Sequence, residues 1–209
     1  MADNYLEKKF EAFRNRPAAK KPAVSLNTLL LRNRSYRGYD KSCIVTAAQL
    51  RRIAEVCTKV PSGRNQQVLR LKLLTAGHGA EQMQGHYKLG AALPELHLPF
   101  PGTEPEAFII LCSTVTPDKW VHMDVGIAAQ SMLLKAVEMG LGGICIGAFD
   151  KEALTETFSL PCEPVLVLAI GKPAEKIEIV PVHSGESLKY YRENGTHFVP
   201  KIVAGDLIL

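Results

Sequence analysis

The 209-residue sequence lacks most of the patterns that announce a chemistry. Its longest apolar runs fall far short of the ~20 residues of a membrane helix, so no membrane partner is expected. No GxGxxG follows a strand-like stretch, which leaves a Rossmann dinucleotide site unsupported, and Gly171-Lys172 lacks the earlier glycine of a P-loop. Neither HExxH nor GxSxG occurs. Six histidines are present and none pair at i, i+4; His78 and His86 lie among glycines and read as loop residues, so no metal is expected. The five cysteines are odd in number and form no CxxC, which removes zinc ribbons and thioredoxin-type motifs. Four of them sit in apolar or helical-looking stretches, as reduced, buried cysteines of a cytoplasmic protein would. The opening Met-Ala-Asp-Asn has no apolar segment behind it, so no secretory signal is read.

What is present is an ordinary globular composition, 46% hydrophobic and 22% charged, with an uneven charge. A chain of this length buries a core without disulfide or metal support. Residues 1–41 carry ten basic and four acidic side chains, net +6, and the rest of the chain is net −2. Basic residues confined to one fifth of the chain do not make a body-wide nucleic-acid surface, so no nucleic-acid partner is expected. They leave a basic tail or an anion site near the start.

The periodicities predict alternating helices and strands, hence a layered α/β or α+β domain. Residues 4–16 read as an amphipathic helix and 17–22 as a linker, so residues 1–24 form an extension ahead of a domain over 25–209. A second helix spans 25–33 with Leu26, Leu29 and Leu30 as its apolar side. Thr46-Ala47-Ala48-Gln49 has capping-box form and starts a helix that must stop before Pro61. Val68–Leu74, Ala107–Cys112, Ile144–Ile146 and Val165–Ile170 read as strands. Residues 91–106 carry four prolines and read as an irregular excursion. Residues 120–139 are apolar nearly all round, as a helix buried on several sides, in a core or against a partner chain, would be, and Gly140 stops it. Asp150 caps a helix to about Phe158. The tail from His197 to Leu209 is apolar and strand-like after a polar stretch, and is expected to pack against something.

Three segments suit an anionic ring ligand. Arg32-Asn33-Arg34-Ser35-Tyr36-Arg37 puts three guanidiniums and a hydroxyl within six residues, and Arg offers planar forked donors to phosphate. Pro61-Ser62-Gly63-Arg64-Asn65-Gln66-Gln67 combines a glycine with amide side chains that can read a polar ring edge. Gly140 to Asp150 joins a buried helix, a strand and a new helix N-terminus, where glycines permit close backbone approach and the helix end favours anions. Each has an ordinary alternative: a solvated basic turn, a helix-to-strand turn, and a helix C-cap with tight packing. With no catalytic constellation elsewhere, the chemistry is expected to come from a cofactor.

In this order the segments resemble the nitroreductase family of FMN-dependent flavoproteins. Arg34-Ser35-x-Arg37 stands for its Arg-Arg-Ser-x-Arg, and Val60-Pro61-Ser62-Gly63-x-Asn65-x-Gln67 for its Pro-Ser-Gly-x-Asn-x-Gln. Asp124-x-Gly126 through Gly140-Leu141-Gly142 match the long central helix, and Ile170-Gly171-Lys172-Pro173 the apolar strand closing in Gly-x-Pro. Val199-Pro200-Lys201 resembles the family's basic C-terminal segment, and the likeness spans residues 27–205. The chain departs at Asn33, where an Arg is usual, at Val68-Leu69 in place of Pro-Trp, and at Ile202 after Lys201.

The resemblance implies an α+β fold, a three-layer α/β/α sandwich in an intertwined homodimer with FMN at the interface. It implies hydride from NAD(P)H, then ping-pong reduction of a small organic acceptor such as a nitroaromatic or a quinone. Arg34 and Ser35 would hold the phosphate, with added charge from Lys201. Arg37 would lie near the N1–C2=O edge. Pro61 and Ser62 would line the ring, Asn65 and Gln67 would bind ring or ribityl atoms, and Gly147 would present backbone near N5. No protein nucleophile is needed. Two alternatives stay open: a flavin enzyme of this fold with a non-nitro reaction, and a non-catalytic phosphate- or nucleic-acid-binding module.

Overall fold

The computed structural model describes residues 24–209 as a continuous stretch; the helix expected over 4–16 and its linker lie outside the described residues. Helix α1, Leu26–Arg32, starts where the Ser25 hydroxyl accepts from the Thr28 amide. Its Leu26, Leu30 and Leu31 are exposed rather than packed on the core. Helix α2, Ala47–Ala54, begins at the expected capping box. The Gln49 amide donates to Thr46 Oγ1 (3.2 Å) and the Thr46 amide to Gln49 Oε1 (2.9 Å), which satisfies two orphan donors of the first turn.

Strands β1 (Leu69–Thr75), β2 (Ala107–Ser113), β3 (Gly142–Ile146) and β4 (Glu163–Gly171) form one antiparallel sheet in the order β1-β2-β4-β3. All seven residues of β2 are buried, because this central strand is covered on both faces. Successive side chains of a strand point to opposite faces. Ala107, Ile109 and Leu111 accordingly join Leu50 and Ile53 of α2 and the buried side of helix α3, Lys119–Glu138. Phe108, Ile110 and Cys112 join Met83 and the side of helix α4, Lys151–Phe158, that carries Leu154 and Phe158. Helix, sheet and helix stack as the expected three layers.

Among the described residues helix α3 is buried on one side: Asp124, Val125, Ala128, Met132 and Leu133 face the core, whereas Trp120, Met123 and Ile127 are 40%, 55% and 37% exposed. Two of the glycines after it, Gly142 and Gly143, are held by packing within the chain, whereas a Cβ on Gly140 or Gly147 would meet nothing within 4 Å. A Cβ on Gly142 would meet the Tyr36 ring and Pro173 at 2.7 Å, and one on Gly143 would strike the Ala169 carbonyl. These contacts dock residues 35–39 on the sheet edge, where Ser35 bridges Gly143 and Tyr39 bridges Pro173.

The polar stretch before His197 is not featureless. Strands β5 (Lys176–Val182), β6 (Tyr191–Glu193) and β7 (Thr196–Ile202) form a second sheet, with β5 parallel to β7 and β6 antiparallel to it. The β6–β7 hairpin turns at Asn194 (φ 48°) and Gly195 (φ 75°), the pair that a two-residue hairpin favours. A short helix, α5 (Ala204–Leu207), follows, and Leu207, Ile208 and Leu209 are exposed, so the apolar end packs on nothing among the described residues. The cysteines also differ from expectation: Cys112 is buried, Cys43 and Cys145 are exposed, Cys57 and Cys162 are half-buried, and all five are free thiols. Among the described residues no helix is long and apolar enough to cross a membrane, and no group of three or more metal-ligating side chains occurs.

Candidate functional site

Four of the expected residues meet in one cavity of about 360 Å³: Arg34, Ser35, Arg37 and Lys201. Helix α1 delivers the first three. It ends at Asn33, which takes extended backbone and donates through Nδ2 to Gln130 Oε1 of α3 (3.2 Å). The chain then runs along the edge of β3. Arg34 turns back to donate to the Leu30 carbonyl (2.5 Å), and Arg37 donates to the Ser35 carbonyl (2.9 Å). The Arg37 guanidinium lies over the Tyr190 ring, 5.0 Å from its centroid, a cation–π contact that fixes the plane of the fork.

The charge balance of this cavity is one-sided. Arg34, Arg37 and Lys201 line it. The adjacent acid, Glu175, is already engaged: its carboxylate accepts from the Arg37 and Gly38 amides and pairs with Arg192. The Nε groups of Arg34, Arg37 and Arg192 are buried without a hydrogen-bond partner among the described residues. Buried donors left unpaired cost about 1–3 kcal/mol each, so those on Arg34 and Arg37, both in the cavity wall, mark a place for an acceptor-rich ligand. The donor set fits a phosphate-bearing cofactor.

His197 and Tyr190 line the same cavity and were not foreseen. The His197 ring is 1% exposed, stands 5.0 Å from the Tyr190 ring, and has no partner at either nitrogen among the described residues. Burial, then the positive charges of Arg192 and Arg37, push its pKa down to about 4. The Asn194-Gly195 pair was the signal that could have placed it, since a hairpin there sets His197 opposite Arg192.

The second segment lies elsewhere. Buried Asp124 of α3 anchors it, accepting from Ser62 Oγ (2.6 Å) and the Gly63 amide (2.8 Å). The Gln67 amide donates to Ser62 Oγ and Gln67 Nε2 to Asn65 Oδ1, both at 3.0 Å. Arg64, Asn65 and Gln67 hold φ values of 52°, 55° and 49°. Asn tolerates the left-handed region; for Arg64 and Gln67 it is a strained conformation of the kind retained at ligand sites. Pro61, Ser62 and Gln67 line a separate cavity of about 260 Å³, with Asp124 in its wall.

The nine expected residues are therefore not brought together within one protomer. The segment anchors, Asp124 and Gln130, are six residues apart on α3, ~9 Å along the axis and ~120° around it. Gly147, at the exposed end of β3, lines neither cavity, and a Cβ there would meet nothing within 4 Å.

The sequence model of the nitroreductase family matches residues 30–172, more than half of the chain. A nitroreductase-named protein of Methanocaldococcus jannaschii is 35% identical over 57 residues, 27% of this chain and 29% of that protein. The match thus spans less than a third of that relative's length. A structure from Staphylococcus epidermidis named as an NAD(P)H:FMN oxidoreductase superposes with a TM-score of 0.59 at 19% identity, over 76% of this chain and 92% of that one. One from Exiguobacterium sibiricum, named as a nitroreductase in complex with FMN, gives 0.59 at 18% identity, over 74% and 91%. The family match ends at Lys172, so β5, β6 and β7 lie beyond it.

Proposed function

Since the chain belongs to the nitroreductase family, we propose that it is an FMN-dependent oxidoreductase that takes hydride from NAD(P)H and passes it to a small organic acceptor such as a nitroaromatic or a quinone. The observation that carries this reading is the cation-lined cavity, with buried, unpartnered donors on Arg34 and Arg37 beside Ser35 and Lys201. When bound, FMN supplies the hydride-accepting and hydride-donating centre, so the chain needs no nucleophile of its own.

The residues supply binding, orientation and field. Arg34, Ser35 and Lys201 would hold the phosphate. Arg37, fixed over Tyr190, would place positive charge at the N1–C2=O edge, where reduction builds negative charge; a preoriented cation stabilises that charge without reorganising. Pro61, Ser62, Asn65 and Gln67 would line the ring, and the Gly147 backbone would border N5. NAD(P)H and acceptor would use the same face in turn.

The separation of the two cavities supports a homodimer. The exposed stripe Trp120, Met123 and Ile127 lies on α3 between the two anchor points, at the i, i+3, i+7 spacing of one helix face. A second copy on that stripe would bring its own Pro61–Gln67 segment toward the Arg34–Arg37 cavity.

Purified chain reconstituted with FMN should be yellow, and NADPH or NADH should bleach it without oxygen. Protein that stays colourless after incubation with FMN would overturn the reading.

A further inference from the structure

Strand β7 presents His197, Val199 and Lys201 to the cavity at i, i+2 and i+4, the residues of one strand face. Four residues at ~3.3 Å each separate His197 from Lys201 by ~13 Å along the strand, so the two cannot grip one phosphate. An elongated ligand in the cavity would have Lys201 at one end and His197 at the other, beside Arg37 and Tyr190.

The hydrogen-bond inventory around the ring decides what it contacts. A neutral imidazole has one N–H to donate and one nitrogen to accept. Arg37 and Arg192 are donors only, and Glu175 is already taken by two amides and Arg192. No described residue accepts from His197. A ligand in the cavity that His197 lines would supply that acceptor.

Resting on the FMN reading above, we propose that His197 is a flavin-binding residue, supplied by the C-terminal sheet, that donates a hydrogen bond to the pyrimidine edge of the bound flavin next to Arg37. Negative charge grows at that edge on reduction, so the bond tightens in the reduced form. His197 thus raises the flavin potential as well as the affinity.

The test uses the full chain with His197→Phe and His197→Gln. FMN affinity is read from quenching of flavin fluorescence and the midpoint potential by reductive titration. His197→Phe should bind FMN about tenfold or more weakly, the ratio a hydrogen bond to a charge-bearing oxygen carries, and at a more negative potential. Its cofactor-free form should melt no lower than wild type, having lost two buried unpartnered atoms. His197→Gln, which keeps an N–H, should recover most of both. In wild type, FMN should shift the His197 ring signals in the NMR spectrum. Equal affinity and potential in His197→Phe, or His197 signals indifferent to FMN, would overturn the proposal while the FMN reading stands. Wild type that takes up no FMN would overturn both.

Discussion

Burial holds the His197 imidazole neutral down to about 4, whereas in an unfolded chain a histidine takes up its proton near 6.5. Between those values the unfolded state binds more protons than the folded one. The stability of the cofactor-free chain is therefore full above 6.5 and is lost as pH falls toward 4, by about 3 kcal/mol at 1.4 kcal/mol per unit. Carboxylates add their own acid dependence, so the comparison is with His197→Phe. Urea unfolding at pH 7 and pH 4.5 should show a larger loss in wild type than in the variant; equal losses would mean that the imidazole is not buried in its neutral form. At this scale the sequence was legible in part. Arg34, Ser35, Arg37 and Lys201 announce themselves by donor chemistry and motif. Glu175 does not, because its task is to accept amides from Arg37 and Gly38, 138 and 137 residues away in the chain.

The elements nearest the site are held by local rules that single substitutions can test. Thr46 and Gln49, Asp118 and Asp150 each start a helix by satisfying its first amides, and all three starts follow from side chains placed beside the helical pattern. The β6–β7 hairpin depends on Gly195, whose φ of 75° strains any residue with a Cβ although the surrounding space is open. Gly195→Ala should cost about 1 kcal/mol in urea unfolding. By loosening the hairpin that carries His197, it should also weaken FMN binding. An unchanged flavin affinity alongside the lost stability would detach the hairpin from the site. The earlier strands were legible because their apolar runs are bounded by turns. Strand β5 was not, since Lys176, Glu178, the half-buried Ile177 and the exposed Ile179 suit a surface strand and a polar loop equally.

For the whole molecule, the exposed face of α3 and the apolar end Leu207–Leu209 are surfaces that the described residues of one protomer leave uncovered. A charge at Ile127, 37% exposed on that face, has no core packing to disturb. Ile127→Glu should leave the melting behaviour of the protomer close to wild type. It should shift sedimentation to the monomer and weaken FMN retention, because a dimer core rejects an unpaired carboxylate. A wild-type chain that sediments as a monomer and still binds FMN would place the whole site within one protomer.

By itself the sequence determined helices α1 to α4 and four of the strands, the layered class, and the identity of the cation-rich and amide-rich segments. Each follows from periodicity, capping or donor chemistry within a dozen neighbouring residues. Only the tertiary structure decided which of these meet. Residues 35 and 201 share a cavity because Ser35 docks on the edge of β3 while β7 folds back over it, a result of strand pairing that no spacing along the chain encodes. The Pro61–Gln67 segment went elsewhere because Asp124 holds it on a different side of α3 from Gln130. His197, unremarkable in the sequence, became part of the site because burial left both nitrogens unpartnered in a ring that lines the cavity.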